Sequence, residues 1–320
     1  MNIDEKLRRR IESDLCLDWP FVKGRTSSIR NCWHFYTDGS AVDQMFYDDM
    51  DFIAGMNRVY IVVKKHNVVI LAFSLMDTHL HFILYGDLQD CIRFMHDYVN
   101  RTSRHISVMH GDRHKLASVR VNYQKIDSDL YLKTAICYTI KNAPVGGIQY
   151  MGWDYPWSSG PLYFRKAGAW SSPSWLAGSL EPVAGATERW KRETLKTRTP
   201  GELDIQMSGQ LVFPGEYVAY EIVERLFKTC KSYNFFLCTS KESDIDTRGG
   251  AISMLSIPMQ EMRQHRDEVL RELFGAILMK NLDTGSRIRL AKALKSRYNS
   301  SVKQIVRLCG LVYEEVKDLI

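Results

Sequence analysis

The sequence predicts an α+β protein whose core is an antiparallel sheet with helices packed on it. Three observations predict this. Short runs rich in Val, Ile, Phe and Tyr read as strands, and they are separated by longer stretches with apolar residues at helical spacing. Two strand-like runs, Val68 to Met76 and His79 to Tyr85, are divided only by Asp77-Thr78, a connection short enough to force antiparallel pairing.

Each element follows in order. Cys32 to Tyr36 is a first strand, closed by the turn residues Thr37-Asp38-Gly39. From Asp49 to His66 the positions Phe52, Met56, Val59, Tyr60 and Val63 recur at helical spacing. Val68 to Met76 is almost continuously apolar, as a strand buried on both faces must be. Asp87 to Ser107 is helical through Ile92, Met95, Tyr98 and Val99. Ala117 to Ile126 alternates as a fourth strand, and Asp127 or Ser128 caps a helix running to Asn142. The order βαββαβ with a further helix is the ferredoxin-like arrangement. Along that last helix Leu132, Ile136 and Ile140 form one stripe, and Tyr131, Ala135, Tyr138 and Asn142 a neighbouring one.

Beyond this core, residues from about Lys166 to Gly201 are rich in Ser, Pro and Gly and read as a linker. A compact region from Glu202 to Leu282 follows, with helices expected over Tyr217 to Phe227 and Met259 to Met279. Three short helices end the chain: Arg287 to Tyr298, Ser301 to Cys309, then Tyr313 to Ile320 after a tight turn at Gly310. Ile305, Leu308, Val316 and Leu319 are expected to bury together, as in a helix-turn-helix module. The expected divisions are 1–28, an N-terminal extension; 29–165, the α+β domain; 166–201, the linker; 202–285, an accessory region; and 286–320, the helical module.

With 320 residues the chain exceeds one typical core. Its 45% hydrophobic and 25% charged residues are ordinary for a globular protein, and a net charge of +6 permits nucleic acid as a partner. Seven cysteines, an odd number without a Cys-x-x-Cys pair, argue against a disulfide framework and a structural zinc site. No signal peptide or membrane-spanning stretch is apparent, so a cytoplasmic protein without a membrane partner is expected.

The chemistry-bearing residues are few. Strand side chains alternate, so His79 and His81 share one face while Leu80, Phe82 and Leu84 bury the other. Two imidazoles on a rigid strand make half of a divalent-metal site. Alone, His-x-His is a weak signal, as is any one of 16 tyrosines. Tyr138 and Asn142, four apart on a helix, lie one turn above each other and can present a nucleophile and a third ligand together. Asn142 also stands where a helix C-cap is expected. From Arg101 to Arg120 the chain carries Arg101, Arg104, Arg113, His114, Lys115 and Arg120, candidates for contact with a phosphate backbone if this stretch is more than a solvated basic loop. Lys141 is a further candidate, and Trp157, in an aromatic cluster, could stack on bases.

Taken together these residues resemble the single-tyrosine HUH transposases of the REP-associated type. The resemblance is carried by Leu75-Met76-Asp77-Thr78-His79-Leu80-His81-Phe82-Ile83-Leu84, by Tyr138-Thr139-Ile140-Lys141-Asn142 and by Tyr155-Pro156-Trp157-Ser158-Ser159, and it covers about residues 30 to 165. It implies a DNA transposase or nickase acting on single-stranded, hairpin-forming DNA through a 5′-phosphotyrosine. Tyr138 would be the nucleophile, and His79, His81 and Asn142 the ligands of Mg²⁺ or Mn²⁺. A homodimer that exchanges helices between sites is within the family's range. Two positions depart from the family pattern: Asp77-Thr78 stands where Asn or Pro-Asn precedes the first histidine, and Asn142-Ala143-Pro144 stands for Asn-Pro. Two rival readings are a metal-dependent hydrolase, which would need β/α alternation that the chain lacks, and a DNA-binding regulator of the same fold that has lost cleavage.

Overall fold

A computed structural model describes residues 3–18, 28–38, 44–111, 116, 119–145, 152–165, 181–183, 187–195, 205–239, 259–275, 278–298, 302–316 and 319. Contacts divide the chain into two compact units, residues 1–144 with 149–251, and residues 145–148 with 252–320.

The first unit opens with α1 (Glu5–Asp14), β1 (Ser28–Thr37), α2 (Asp49–Val63), β2 (Val68–Leu75), β3 (Leu80–Gly86), α3 (Leu88–His110), β4 (Val121–Ser128) and α4 (Asp129–Val145). The fold is mixed α+β, and its strands pair antiparallel in the order β2-β3-β1-β4. The two faces of β3 are distinguished by what they touch. Phe82 meets Phe94 and Tyr98 of α3, whereas His81 meets Tyr138 of α4.

Local chemistry sets the helix ends. The Asp48 carboxylate accepts from the Asp51 N–H at 2.9 Å, Asp87 accepts from Gln89, and the Ser128 hydroxyl accepts from Tyr131. α3 runs to His110, past the expected end at Ser107, because Gly111 adopts the left-handed conformation (φ 70°) that closes a helix. Ala117 and Ser118, expected to open β4, lie outside the described residues.

The Tyr155-Pro156-Trp157-Ser158-Ser159 segment covers the outer edge of β2. Leu75 donates its N–H to the Trp157 carbonyl at 2.9 Å, and Ser159 donates to the Phe73 carbonyl at 3.0 Å. The Tyr155 hydroxyl donates to the Leu75 carbonyl at 2.7 Å, and the Tyr163 hydroxyl to that of Leu71 at 2.6 Å. An edge strand's unpaired backbone groups are satisfied in this way.

A second antiparallel sheet has the order β5-β6-β7, from β5 (Glu181–Val183), β6 (Ile205–Ser208) and β7 (Leu211–Val212). The stretch expected to be an irregular linker thus carries β5 and also α5 (Glu188–Leu195). Asn57, fully buried on α2, donates to the Gln210 carbonyl and accepts from the Val212 N–H, both at 2.8 Å, tying this sheet to α2. α6 (Tyr220–Phe227) and α7 (Cys230–Thr239) follow.

The second unit contains α8 (Met259–Phe274), α9 (Thr284–Tyr298), α10 (Val302–Leu308) and α11 (Tyr313–Val316). Val269, Leu270, Leu290, Leu294, Ile305 and Leu308 bury together there, which draws α8 into the same unit as the terminal helices. Val316 is buried as expected, but Leu319 is exposed, because α11 ends before it. All seven cysteines are free thiols. No described helix is long and apolar enough to cross a membrane.

Candidate active site

The site forms where three neighbouring elements turn polar or aromatic residues toward one point. β1 and β3 pair with Tyr36 opposite His81 and His34 opposite Ile83, so His34, Tyr36 and His81 share a face by the pleat's alternation. α4 places Tyr138 over that face. The His81 and Tyr138 rings lie 5.6 Å apart, edge to face, and His34 and Tyr138 6.0 Å apart. His79 sits one residue before β3, its ring 5.1 Å from that of His81 and nearly perpendicular to it.

Two hydrogen-bond pairs order the imidazoles. The Thr78 hydroxyl oxygen is 3.0 Å from His79 Nδ1. His34 Nε2 is 3.0 Å from His81 Nδ1, and the two rings stack with centroids 5.2 Å apart. The other ring nitrogen of His34, Nδ1, is buried without a hydrogen-bond partner. His34 is 1% exposed, His81 2% and Tyr138 6%, while His79 is partly exposed. Burial pushes the His34 imidazole down to about 3, and burial, together with the rings of His79 and His34, holds His81 well below its ordinary value. Both rings are therefore neutral bases at neutral pH.

A neutral imidazole with one nitrogen engaged and the other left over is the state in which histidine ligates a metal. His81 fits a divalent cation in this respect, with its Nδ1 beside His34 Nε2. Among the described residues, no group of three or more His, Cys, Asp or Glu stands together to hold a metal. The side chain of Asn142, the expected third ligand, lies outside the described residues, although α4 runs through its position.

The basic candidates fall on several elements. Residues 101–110 belong to α3, where Arg101 pairs with Asp97 at 2.6 Å and Arg104 is exposed. Arg120 is exposed just before β4, and Lys141 is partly exposed on α4. Arg113, His114 and Lys115 lie outside the described residues. Trp157 does not offer a stacking platform: it is 5% exposed, and its ring lies parallel to Phe52 at 4.9 Å, filling the core.

Sequence reasoning missed His34, whose place beside His81 depends on strand order that no local pattern reveals. It also missed a second polar cluster. Asp51, buried on α2, takes His105 Nε2 at 3.1 Å and His110 Nε2 at 2.8 Å, and accepts from the Tyr47 N–H at 3.0 Å. A cavity of about 130 Å³ adjoins it, walled by Met50, Ile53 and Met109 among others. No family model, curated protein or solved structure matches the chain.

Proposed function

We propose that the chain is a single-tyrosine HUH-type DNA transposase or nickase, resembling the REP-associated transposases. It would cut and rejoin single-stranded, hairpin-forming DNA through a 5′-phosphotyrosine. The observation that carries this reading is the meeting of Tyr138 with His81, from elements far apart in sequence, at a ring separation of 5.6 Å, with His79 5.1 Å from His81. The strand order β2-β3-β1-β4 supports a ferredoxin-like core of the kind such enzymes use.

In this reading His79 and His81, with Asn142, hold Mg²⁺ or Mn²⁺. When bound, the cation stabilises negative charge on a non-bridging phosphate oxygen. The Tyr138 phenol oxygen attacks phosphorus and loses its proton as the new O–P bond forms. The bond to the 3′ oxygen breaks, and that oxygen leaves as a free 3′-hydroxyl after taking up a proton. A later 3′-hydroxyl reverses the exchange and releases Tyr138, so rejoining needs no external energy source. The sheet fixes His81, the connection just before β3 carries His79, and α4 fixes the phenol. Arg104, Arg120 and Lys141 are placed where they are accessible to a phosphate backbone. The terminal helices α9 to α11 form the helix-turn-helix-like module of this reading. A DNA substrate and seven free thiols agree with a cytoplasmic setting.

The test is to incubate the protein with a labelled hairpin-bearing single strand and Mg²⁺ or Mn²⁺, and to map any covalent adduct. An adduct at Tyr138, absent in Tyr138→Phe, is expected; cleavage that survives in the variant would rule out the covalent scheme. A second reading, a DNA-binding regulator without cleavage, is favoured by the burial of Tyr138. Binding of the strand by wild type without any cut would select it.

A further inference from the structure

A buried polar atom with no partner needs a reason, and His34 Nδ1 is such an atom. An apolar residue at this place in β1 would fill the same space without leaving that nitrogen unpaired, which costs roughly 1–3 kcal/mol. What His34 gains is its other nitrogen, set 3.0 Å from His81 Nδ1. Only one proton lies between these two nitrogens, and the side from which it comes decides what His81 can do. If His34 donates, then His81, being neutral, carries its own proton on Nε2 and that nitrogen has no lone pair to offer. If His81 donates, its Nε2 is a free ligand and the His34 proton sits on the unpaired Nδ1.

We infer that His34 is a positioning residue, which accepts the Nδ1–H of His81 and so leaves His81 Nε2 as the nitrogen available to a divalent cation. This inference rests on the reading of His79 and His81 as a cation-binding pair. His34 plays for His81 the part that Thr78 plays for His79, whose Nδ1 is 3.0 Å from the Thr78 hydroxyl oxygen. His81 is thereby held by its inner nitrogen and presents the outer one, which is how outer-shell partners orient metal-binding histidines. The stacked geometry of His34 on His81, with an interplanar angle of 27°, and the contact of His34 with Tyr138 fix the ring plane.

The experiment uses the full chain, labelled with ¹⁵N at its histidines, and reads the tautomer of His81 directly by NMR without any metal. In parallel, Mn²⁺ binding is measured by electron paramagnetic resonance for wild type, His34→Gln and His34→Phe, each checked for fold by circular dichroism. Gln keeps an acceptor near the position of the lost nitrogen; Phe keeps the ring and removes the acceptor. Expected are Nδ1–H at His81 in wild type, near-wild-type Mn²⁺ affinity in His34→Gln and a 10- to 100-fold loss in His34→Phe, whose His81 moves toward Nε2–H. Either Nε2–H at His81 in wild type, or unchanged Mn²⁺ affinity in a folded His34→Phe, overturns the inference. If that happens while wild type still binds Mn²⁺ and forms the Tyr138 adduct, the inference fails alone. If wild type binds no Mn²⁺, the cation-binding reading fails and takes the inference with it.

Discussion

At the scale of single residues, two imidazoles of the site are kept neutral by burial. His34 and His81 fold as neutral rings, one pushed down to about 3 and the other well below its ordinary value, whereas in the unfolded chain they titrate near 6.5. Below that pH the unfolded state binds more protons than the folded one. Stability is therefore fully present above about pH 6.5 and falls as pH drops, by at most about 1.4 kcal/mol per pH unit for each ring. Urea unfolding at pH 7, 6 and 5 should show this slope, and His34→Phe should flatten it by about one proton's worth. An unchanged slope in that variant would mean that His34 is protonated when folded. Although His79 was expected on the strand and instead precedes β3, the His-x-His motif was readable directly. The pairing of His34 with His81 was not, because it is set by the register of β1 on β3.

At the scale of elements, the site depends on how α4 and the Tyr155–Ser159 edge segment are seated. Gly160 follows that segment, and a Cβ there would collide with the Gly152 carbonyl oxygen and approach Ile140 Cγ2 of α4 to 2.9 Å. Gly160→Ala should therefore cost roughly 1–3 kcal/mol through overpacking, seen as a lower Tm; an unchanged Tm would show that the contact relaxes freely. Asn57 does comparable work between α2 and the second sheet. Asn57→Leu strands the Val212 N–H and the Gln210 carbonyl, and should cost roughly 2–4 kcal/mol in urea unfolding. Stability within experimental error of wild type would show that water replaces both bonds. The main helices of the core were legible because apolar spacing and caps are local: spacing marked two of them, and the Ser128 cap the start of a third. The second sheet was hidden, since β7 has only two residues and β5 three, too short for any periodicity to register.

At the scale of the whole molecule, the two units have separate cores and different spectroscopic labels. All seven tryptophans fall within the bounds of the first unit, while the second is helical and has none. Tryptophan fluorescence should thus follow the first unit alone, and far-ultraviolet circular dichroism both. Independent cores predict two unfolding curves with different midpoints; coincident curves would mean that the units unfold as one. Contacts divide the chain after residue 251, ahead of the boundary at 286 expected from the three terminal helices. α8 accounts for the difference, since its Val269 and Leu270 bury against α9 and α10.

The sequence by itself determined the α+β class, the main helices and strands, and the His-x-His pair, because each is written in side-chain periodicity, capping residues and spacing along a few consecutive positions. Only the tertiary structure decided which residues from different elements meet. Strand order set His34 against His81, packing of α4 brought Tyr138 to both, and burial turned Trp157 inward. The physical reason is one of range: periodicity and capping act over a turn or a pleat, whereas register and packing join residues that the chain itself keeps far apart.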